Sequence, residues 1–224
     1  MGKRIVKFLS FCFECVLECI YPHKNICLVC EKELDESGLC KECFNKITFF
    51  KKPIDIKGEN MKVISVCAYS TTIKQLILNF KYKKNFYCGE FLSALIVEYI
   101  NQNKIDFDLI TYVPSTKKAL KNRGFNQCKF ISDFVAKKIN KPVVKSLIQR
   151  QKEGLEQKKL SAVERKTNLI GVFCFENSCS IKAKTILLID DVITTGYTLK
   201  FCRDVLIENG AKEVILLTIA KNSV

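Results

Sequence analysis

The amino-acid sequence predicts an α/β protein with a mostly parallel sheet and a small N-terminal cysteine module. Three observations carry this prediction. Strand-like apolar runs alternate with helical patterns, one of these runs ends in paired acids and a glycine turn, and two Cys-x-x-Cys pairs lie close together. The 224 residues suffice for one main domain with a buried core and a small attachment.

The first 22 residues combine a basic start with an apolar stretch. Glu14 and Glu18 interrupt that stretch and no small-residue cleavage site follows, which argues against a signal peptide. The segment is also too short and too charged to span a bilayer. Its apolar spacing predicts an amphipathic helix that packs on the protein or, as the alternative, on a membrane surface. We therefore expect a cytoplasmic protein with no transmembrane segment, associated with a membrane only through partners.

Four cysteines near the start have the spacing of a metal site. Cys27 and Cys30 are followed by Cys40 and Cys43 with the same spacing, and two such pairs can hold one structural Zn²⁺ tetrahedrally. The alternative, four free thiols buried as small apolar residues, is disfavoured because the residues between the pairs are mostly polar. In a cytoplasmic chain we expect the 13 cysteines to be thiols or metal ligands rather than disulfides.

A second group of potential ligands precedes this module and consists of Cys12, Cys15, Cys19 and His23. On a helix, Cys12 and Cys19 lie about 10 Å apart along the axis, so one zinc ion cannot bind both. We interpret the group as the packed face of the first helix, and a metal role would require that helix to unwind.

A charged connector, residues 51–60, separates the module, residues 1–50, from the main domain, residues 61–224. The predicted strands of the main domain are 62–69, 107–113, 142–149, 171–176, 185–190 and 213–220. The predicted helices are 71–82, 89–102, 125–139 and 198–209. This alternation predicts parallel strands joined by right-handed crossovers.

The strand that ends in two acids predicts the ligand site. Residues 186–189 are apolar throughout and therefore indicate a strand buried on both faces, with Asp190 and Asp191 at its carboxyl end, where open α/β sheets bind ligands. The hydroxyl-rich turn with Gly196 then opens a helix at about Thr198, whose N–H groups attract anions. This combination suits a ligand with a phosphate and a diol, with or without Mg²⁺. The alternative is a solvated acidic turn without a ligand.

Two basic segments predict anionic partners, in keeping with a net charge of +14. After Pro114 the chain carries Lys117, Lys118 and Arg123, which could meet a pyrophosphate or a nucleic-acid backbone if the preceding strand neighbours the acid-bearing one. The alternative is a solvated basic turn.

The other basic segment interleaves cations with aromatic residues, a combination that suits single-stranded nucleic acid. Its candidate contacts are Lys81, Tyr82, Lys83 and Lys84. The alternative is that the aromatic residues belong to the core and the lysines are solvated.

The stretch "ILLIDDVITTGYTL" resembles the phosphoribosyl pyrophosphate (PRPP) loop of phosphoribosyltransferases, which implies a type I phosphoribosyltransferase fold. The resemblance implies that Asp190 and Asp191 are the catalytic acids that bind the ribose hydroxyls. It also implies that the following turn holds the 5′-phosphate of PRPP, with Mg²⁺ bound alongside. The turn residues concerned are Val192, Thr194, Thr195, Gly196, Tyr197 and Thr198.

Further motifs narrow the resemblance to the ComF family of competence proteins, namely the four cysteines, "LILNFKYKK", "VPSTKKALKNRGFNQ" and "EQKKLSAVERKTNLIGVF". The chain departs from many relatives at Ser115 and Thr116, where they carry a bulkier or more basic start. The resemblance implies DNA uptake during natural transformation, with single-stranded DNA, a competence helicase and other DNA-processing proteins as partners. One alternative is an active phosphoribosyltransferase in nucleotide metabolism, although no acceptor site or general base is identifiable. Another is a PRPP-responsive regulator without catalysis.

Overall fold

The computed structural model describes residues 25–35, 38–56, 59, 61–151, 172–176 and 180–222. The predicted first helix, with Cys12, Cys15, Cys19 and His23, lies outside the described residues, as does most of the "EQKKLSAVERKTNLIGVF" motif. The chain divides into two compact units between Phe44 and Asn45. No helix among the described residues is long and apolar enough to cross a membrane.

The described part of the first unit is a short cysteine-rich fold that ends in helix α1, Lys41–Phe44. Its small core consists of Cys27, Cys40 and Cys43, with the partly buried side chains of Val29, Leu34 and Leu39 packed against them. An isolated bridge joins Cys27 to Gly38, so the two Cys-x-x-Cys pairs are brought together by the chain turning back on itself.

The second unit is built on a five-stranded sheet with the order β1-β2-β7-β6-β3. Its strands are β1 Ile54–Asp55, β2 Lys62–Ala68, β3 Leu109–Tyr112, β6 Thr185–Ile193 and β7 Glu213–Lys221. Only β1 is antiparallel to its neighbour, which confirms the predicted mostly parallel α/β sheet. A separate antiparallel pair is formed by β4 Ile148–Arg150 and β5 Phe173–Phe175.

Among the described residues, five helices follow or connect the strands of this sheet. They are α2 Thr71–Lys83, α3 Phe86–Gln102, α4 Lys117–Arg123, α5 Gln127–Ile139 and α6 Tyr197–Glu208. Strand β6 is fully buried from Ile186 to Ile189, as expected for a central strand covered on both faces.

Several boundaries differ from those predicted. The predicted connector contains strand β1, and residues 48–50 pair with β2 through the bonds Ala68 N–H to Thr48 O (2.8 Å) and Phe50 N–H to Val66 O (3.0 Å). The sheet thus recruits three residues, 48–50, that the sequence assigned to the module. The strand predicted at 142–149 is reduced to β4, with Val143 making only an isolated bridge to Ile110.

Helix α4 was not predicted, because none of its residues is buried and the segment therefore lacks an apolar periodicity. Its ends nevertheless follow the usual capping rules. The Thr116 hydroxyl accepts a hydrogen bond from Ala119 N–H (3.0 Å), and Gly124 ends the helix in the left-handed conformation. The Asn126 side chain then caps α5 by accepting from the N–H groups of Cys128 and Lys129.

An aromatic cluster joins the end of α2 to the start of α5. The ring of Phe80 is buried and lies 5.1 Å from that of Phe125 and 5.2 Å from that of Phe130, between ring centroids. Phe86 completes the cluster at 6.2 Å from Phe80. Offset aromatic packing of this kind fixes the residues that flank the rings, which here include Lys81 and Gln127.

Candidate functional site

The predicted acid pair lies inside strand β6 rather than after it, because the strand continues to Ile193 and stays paired with β7. Asp191 is buried, with 10% of its side chain exposed, and Asp190 is half-buried. Strand β3 is the parallel neighbour of β6, so the segment after β3 begins at the same end of the sheet as the acids.

Most of the carboxylate oxygens of this pair accept hydrogen bonds from the protein. Asp191 Oδ1 accepts from Val192 N–H (2.7 Å), while Asp190 Oδ1 accepts from Asp191 N–H (2.9 Å) and from the Cys128 thiol (3.4 Å). Asp191 Oδ2 accepts from the Gln127 amide (3.1 Å). Among the described residues, none donates a hydrogen bond to Asp190 Oδ2, the remaining oxygen of the pair.

The positive charge next to the pair comes from Lys81, at the end of α2. Its ammonium makes an ion pair with Asp191 Oδ2, and only 14% of its side chain is exposed. Lys81 was predicted as a nucleic-acid contact together with Lys83 and Lys84. The structure instead directs its ammonium into the protein, while its two neighbours remain exposed.

A chain of contacts leads from the acid pair to the surface. Gln127, whose amide binds Asp191, accepts a hydrogen bond from the Arg123 guanidinium at 2.8 Å. Arg123 in turn lies over the ring of Tyr82, 5.4 Å from its centroid. Because Tyr82 follows Lys81 in the chain, the contacts close a ring that joins α2, β6 and the start of α5.

Burial and the Lys81 ammonium separate the two acids electrostatically. Burial, and after it the negative charge of Asp191, raises the pKa of Asp190 to about 7. Burial alone would also raise the pKa of Asp191, but Lys81 outweighs it and holds that pKa below its usual value. Burial raises the pKa of the Cys128 thiol well above its usual value, so at neutral pH this thiol acts as a donor. At neutral pH Asp191 is therefore ionised and Asp190 is close to its midpoint.

The turn after β6 has the predicted form. Gly196 has φ +82° and serves as the N-cap of α6, and a Cβ at this position would lie 3.2 Å from Met61 Cε and 3.3 Å from Ile56 Cγ2. Glycine is therefore favoured here by its positive φ, and a Cβ would also require the side chains of Met61 and Ile56 to shift slightly. Since glycine offers no capping side chain, the first N–H groups of α6 point to the region beyond the turn, where an anion would be stabilised. Thr194 is exposed, and Thr195, Tyr197 and Thr198 are half-buried around it.

The basic residues predicted to contact phosphates lie on two adjoining segments. Tyr82 is 53% exposed at the end of α2, and a Cβ at Gly124 would be 3.5 Å from Lys84 Nζ, so the ends of α2 and α4 meet. Lys117 and Lys118 are exposed in the first turn of α4. We call Tyr82, Lys83, Lys84 and Arg123 the α2–α4 surface.

Two contacts of the acid pair, Gln127 and Cys128, were not predicted as site residues. The aspartates that they contact are more than 60 positions away in sequence, and no local sequence pattern reveals a contact over that separation. The one available signal was the position of Gln127 in the motif "RGFNQ", directly after the capping residue Asn126.

The four predicted zinc ligands converge in the first unit. Their sulfur atoms all lie within 4.8 Å of one another, and Cys30 Sγ is 3.7 Å from Cys40 Sγ. Four sulfurs at the corners of a tetrahedron, each about 2.3 Å from zinc, are separated by about 3.8 Å. The donor set therefore fits a structural Zn²⁺. Backbone N–H groups also point at the sulfurs, from Cys40 to Cys27 Sγ and from Cys43 to Cys40 Sγ, both at 3.4 Å.

Comparison with known proteins agrees with this geometry. The model of the phosphoribosyl transferase domain family matches residues 128–224, which include the acid pair and the turn. The chain is 25% identical to competence protein F of Haemophilus influenzae over 97% of this chain and all of that protein. It is 22% identical to competence protein ComFC of Bacillus subtilis over 89% of this chain and 78% of that protein.

Among solved structures, the chain is similar to adenine phosphoribosyl transferase from Trypanosoma brucei, with a TM-score of 0.43 and 11% identity over 81% of this chain and 78% of that one. By its sheet and its matched domain, the second unit has an α/β fold of the phosphoribosyltransferase type. It is a homologue of the competence proteins, and the predicted resemblance to the ComF family is confirmed.

Proposed function

We propose that this protein acts in DNA uptake, that it binds PRPP or another phosphorylated ribose at the acid pair, and that it binds single-stranded DNA on the α2–α4 surface. The names of the relatives support the role in DNA uptake. The observation that carries the phosphoribose site is Asp190 Oδ2, an acceptor without a protein donor beside the glycine-capped start of α6. A ribose hydroxyl at this oxygen would leave the 5′-phosphate to the helix N-terminus.

A matched pair of aspartate substitutions tests the phosphoribose site. Asp191→Asn is a poor probe because it leaves the buried Lys81 ammonium without a counter-charge. Asp190→Asn removes the proposed acceptor of the ligand hydroxyl and leaves the Lys81–Asp191 ion pair intact. We expect calorimetric titration with Mg-PRPP at pH 8 to show binding that weakens about ten-fold or more in Asp190→Asn, the cost of losing a charge-assisted hydrogen bond. Asp133→Asn, on the outer part of α5, serves as the control.

Two results would contradict the phosphoribose site. One is a wild-type protein that releases no heat with Mg-PRPP, and the other is equal affinity in wild type and Asp190→Asn. Melting curves of each variant without ligand separate a binding defect from a folding defect.

The DNA-binding proposal is supported by the composition of the α2–α4 surface. It presents an exposed aromatic ring for a base, with cations from Lys83, Lys84 and Arg123 around it. Stacking on an aromatic ring combined with phosphate pairing is the usual way to bind single strands without sequence preference. The basic first turn of α4, with Lys117 and Lys118, extends the surface.

Salt dependence tests this surface. Each phosphate contact that is lost should reduce the slope of log K against log[salt] by about 0.7 for a single strand. We expect Lys83→Gln and Lys84→Gln to reduce the slope, and Tyr82→Ala to weaken binding at every salt concentration. Lys212→Gln is the matched control, since Lys212 is exposed next to the first residue of β7, at the opposite end of the sheet from the acids. Equal slopes in all four variants would refute the assignment.

The matched transferase domain favours a second candidate function, an active phosphoribosyltransferase. That function predicts that pyrophosphate is released from PRPP only when the correct nucleobase is present, and that the release is lost in Asp190→Asn. A panel of nucleobases that gives no acceptor-dependent release would exclude it for those bases. For the first unit we propose a structural zinc ion held by Cys27, Cys30, Cys40 and Cys43, because the spacing of their sulfurs fits one.

A further inference from the structure

Two adjacent carboxylates in a ligand cleft commonly bind a divalent metal ion, and Cys128 Sγ lies with one oxygen of each acid inside a sphere of metal-binding size. The three ligand atoms are all within 4.8 Å of one another. By the spacing of its ligand atoms, this group of three resembles a metal site as closely as the four cysteines of the first unit do. The contacts around it nevertheless disagree with that reading.

The protein already supplies the cation at this position. The Lys81 ammonium pairs with Asp191 Oδ2, which also accepts from Gln127, and Asp191 Oδ1 is engaged by Val192 N–H. A divalent ion bound to Asp191 would have to take the place of the ammonium on the carboxylate. The displaced ammonium would remain nearby and repel the ion. Like charges a few ångströms apart in a partly buried site repel each other strongly, and a doubly charged ion is repelled more than a singly charged one.

Lys81 is held in place from both sides. The preceding residue, Phe80, is buried among Phe86, Phe125 and Phe130. The following residue, Tyr82, lies against Arg123, and the helix ends at Lys84, whose N–H bonds to Asn79 O. The backbone that carries Lys81 is therefore fixed, and the side chain itself is only 14% exposed, unlike that of a lysine on an open surface.

We propose that Lys81 is a positioning residue that acts as a tethered cation at the acid pair, in the place of a protein-held metal ion. The protein then binds no free divalent ion at Asp190 and Asp191, and the Mg²⁺ that accompanies PRPP is bound through the pyrophosphate of the ligand. The second statement rests on the proposed function for the identity of the ligand. The first does not, and it is tested without PRPP.

The test is a titration with Mn²⁺, followed by the electron paramagnetic resonance signal of the free ion, on the full chain with zinc in the cysteine module. Mn²⁺ prefers the oxygen ligands that Mg²⁺ uses and does not compete for a zinc site of four thiolates. In the wild type we expect binding no tighter than in Asp190→Asn, which measures the background of other acidic groups. In Lys81→Met we expect affinity to rise about ten-fold or more, because one repulsive charge is removed and Asp191 loses its partner.

Three controls give this result its meaning. Lys83→Met, a neutralised lysine on the same helix end, should bind Mn²⁺ like the wild type. Lys81→Arg should also do so, since it retains the cation. Adding Asp190→Asn to Lys81→Met should abolish the gained binding, which a merely structural role of Lys81 would not produce.

Two outcomes would overturn the proposal. Wild-type binding of Mn²⁺ that weakens in Asp190→Asn would show that the acid pair holds a metal despite Lys81. Folded Lys81→Met that binds no more tightly than the wild type would show that the ammonium does not exclude one. If Lys81→Met does not fold, the comparison of wild type with Asp190→Asn decides by itself. A failure of PRPP to bind would leave these results unchanged and would count only against the proposed function.

Discussion

The two units of this protein treat clusters of anionic ligand groups in opposite ways. In the first unit, four thiols converge with no basic side chain hydrogen-bonded to any of them among the described contacts, which leaves their sulfurs to the zinc ion proposed above. In the second unit, a lysine from a distant helix lies on the acid pair. The comparison teaches that the spacing of ligand groups does not by itself identify a metal site, since the charges around the group decide.

Loss of zinc should have the largest effect. Structural zinc sites bind with about 10–16 kcal/mol at neutral pH, and in the core of the described part of the first unit the buried residues are three of the four cysteines. We expect one zinc per chain by mass spectrometry and, in Cys40→Ser, loss of zinc together with rapid proteolysis within residues 25–44. Cys174→Ser, which alters a half-exposed thiol of the second unit, is the control. Retention of zinc by Cys40→Ser would show that the four cysteines do not form the zinc site, and the contrast between the two units would no longer hold.

Breaking the Lys81–Asp191 pair should have the next largest effect. Removing one partner of a buried ion pair costs about 3–5 kcal/mol, because the other charge is left without compensation. We expect Lys81→Met and Asp191→Leu each to cost this much in urea unfolding. The double variant should be more stable than the sum of the two losses implies by about 2 kcal/mol or more. Additive losses would mean that the two charges do not depend on each other.

A substitution at Gly89 should disturb the aromatic cluster next to Lys81 without changing a charge. An added Cβ would lie 2.6 Å from Phe80 Cε2 and 2.9 Å from Phe130 Cε1. Alanine normally stabilises a helix interior relative to glycine, so a loss of about 1–3 kcal/mol in Gly89→Ala would reveal the overpacking. We expect thermal melting to show this loss, and Phe80→Leu to relieve most of it. A stabilised Gly89→Ala would show that the aromatic cluster is looser than described.

The pH dependence of Asp190 should give the smallest effect. The pKa of Asp190 is raised to about 7, so the folded chain holds this proton more tightly than the unfolded chain between about pH 4 and pH 7. The contribution of Asp190 to the free energy of unfolding therefore falls as pH rises through this window. We expect Asp190→Asn to match the wild type near pH 4 and to be more stable by about 1–3 kcal/mol at pH 8. The measurement is urea unfolding at both pH values.

An unchanged difference between Asp190→Asn and the wild type at the two pH values would mean that Asp190 is solvated like a surface carboxyl. Asp191 has the opposite sign, since its pKa lies below the usual value, and its stabilisation is lost only as the pH falls through that lower pKa.

The sequence predicted the elements whose causes are local. The apolar run of β6, the acids and the glycine turn are consecutive residues, so their order sufficed to predict a strand, a site and a helix. Helix α4 was missed because the prediction relied on apolar periodicity and disregarded the caps, Thr116 and Gly124. These caps were visible in the sequence and would have predicted the helix.

The pairing of Lys81 with Asp191 could not be predicted in this way. The two residues are 110 positions apart, and two further lysines, Lys83 and Lys84, follow Lys81 in the same motif. Phe80, the residue before Lys81, packs against Phe125 and Phe130, and this long-range contact orients the helix end that carries the lysines.

The contact between Lys81 and Asp191 also has a consequence for inheritance. If the ammonium and the carboxylate need each other, a lineage that replaces one of them by a neutral residue is under pressure to replace the other, so the two positions should change together among homologues. Positions 83 and 84, whose lysines share the same helix end but remain exposed, should change independently of position 191. A homologue that keeps both acids but has lost the lysine is where an ancestral metal site, or a newly gained one, should be sought.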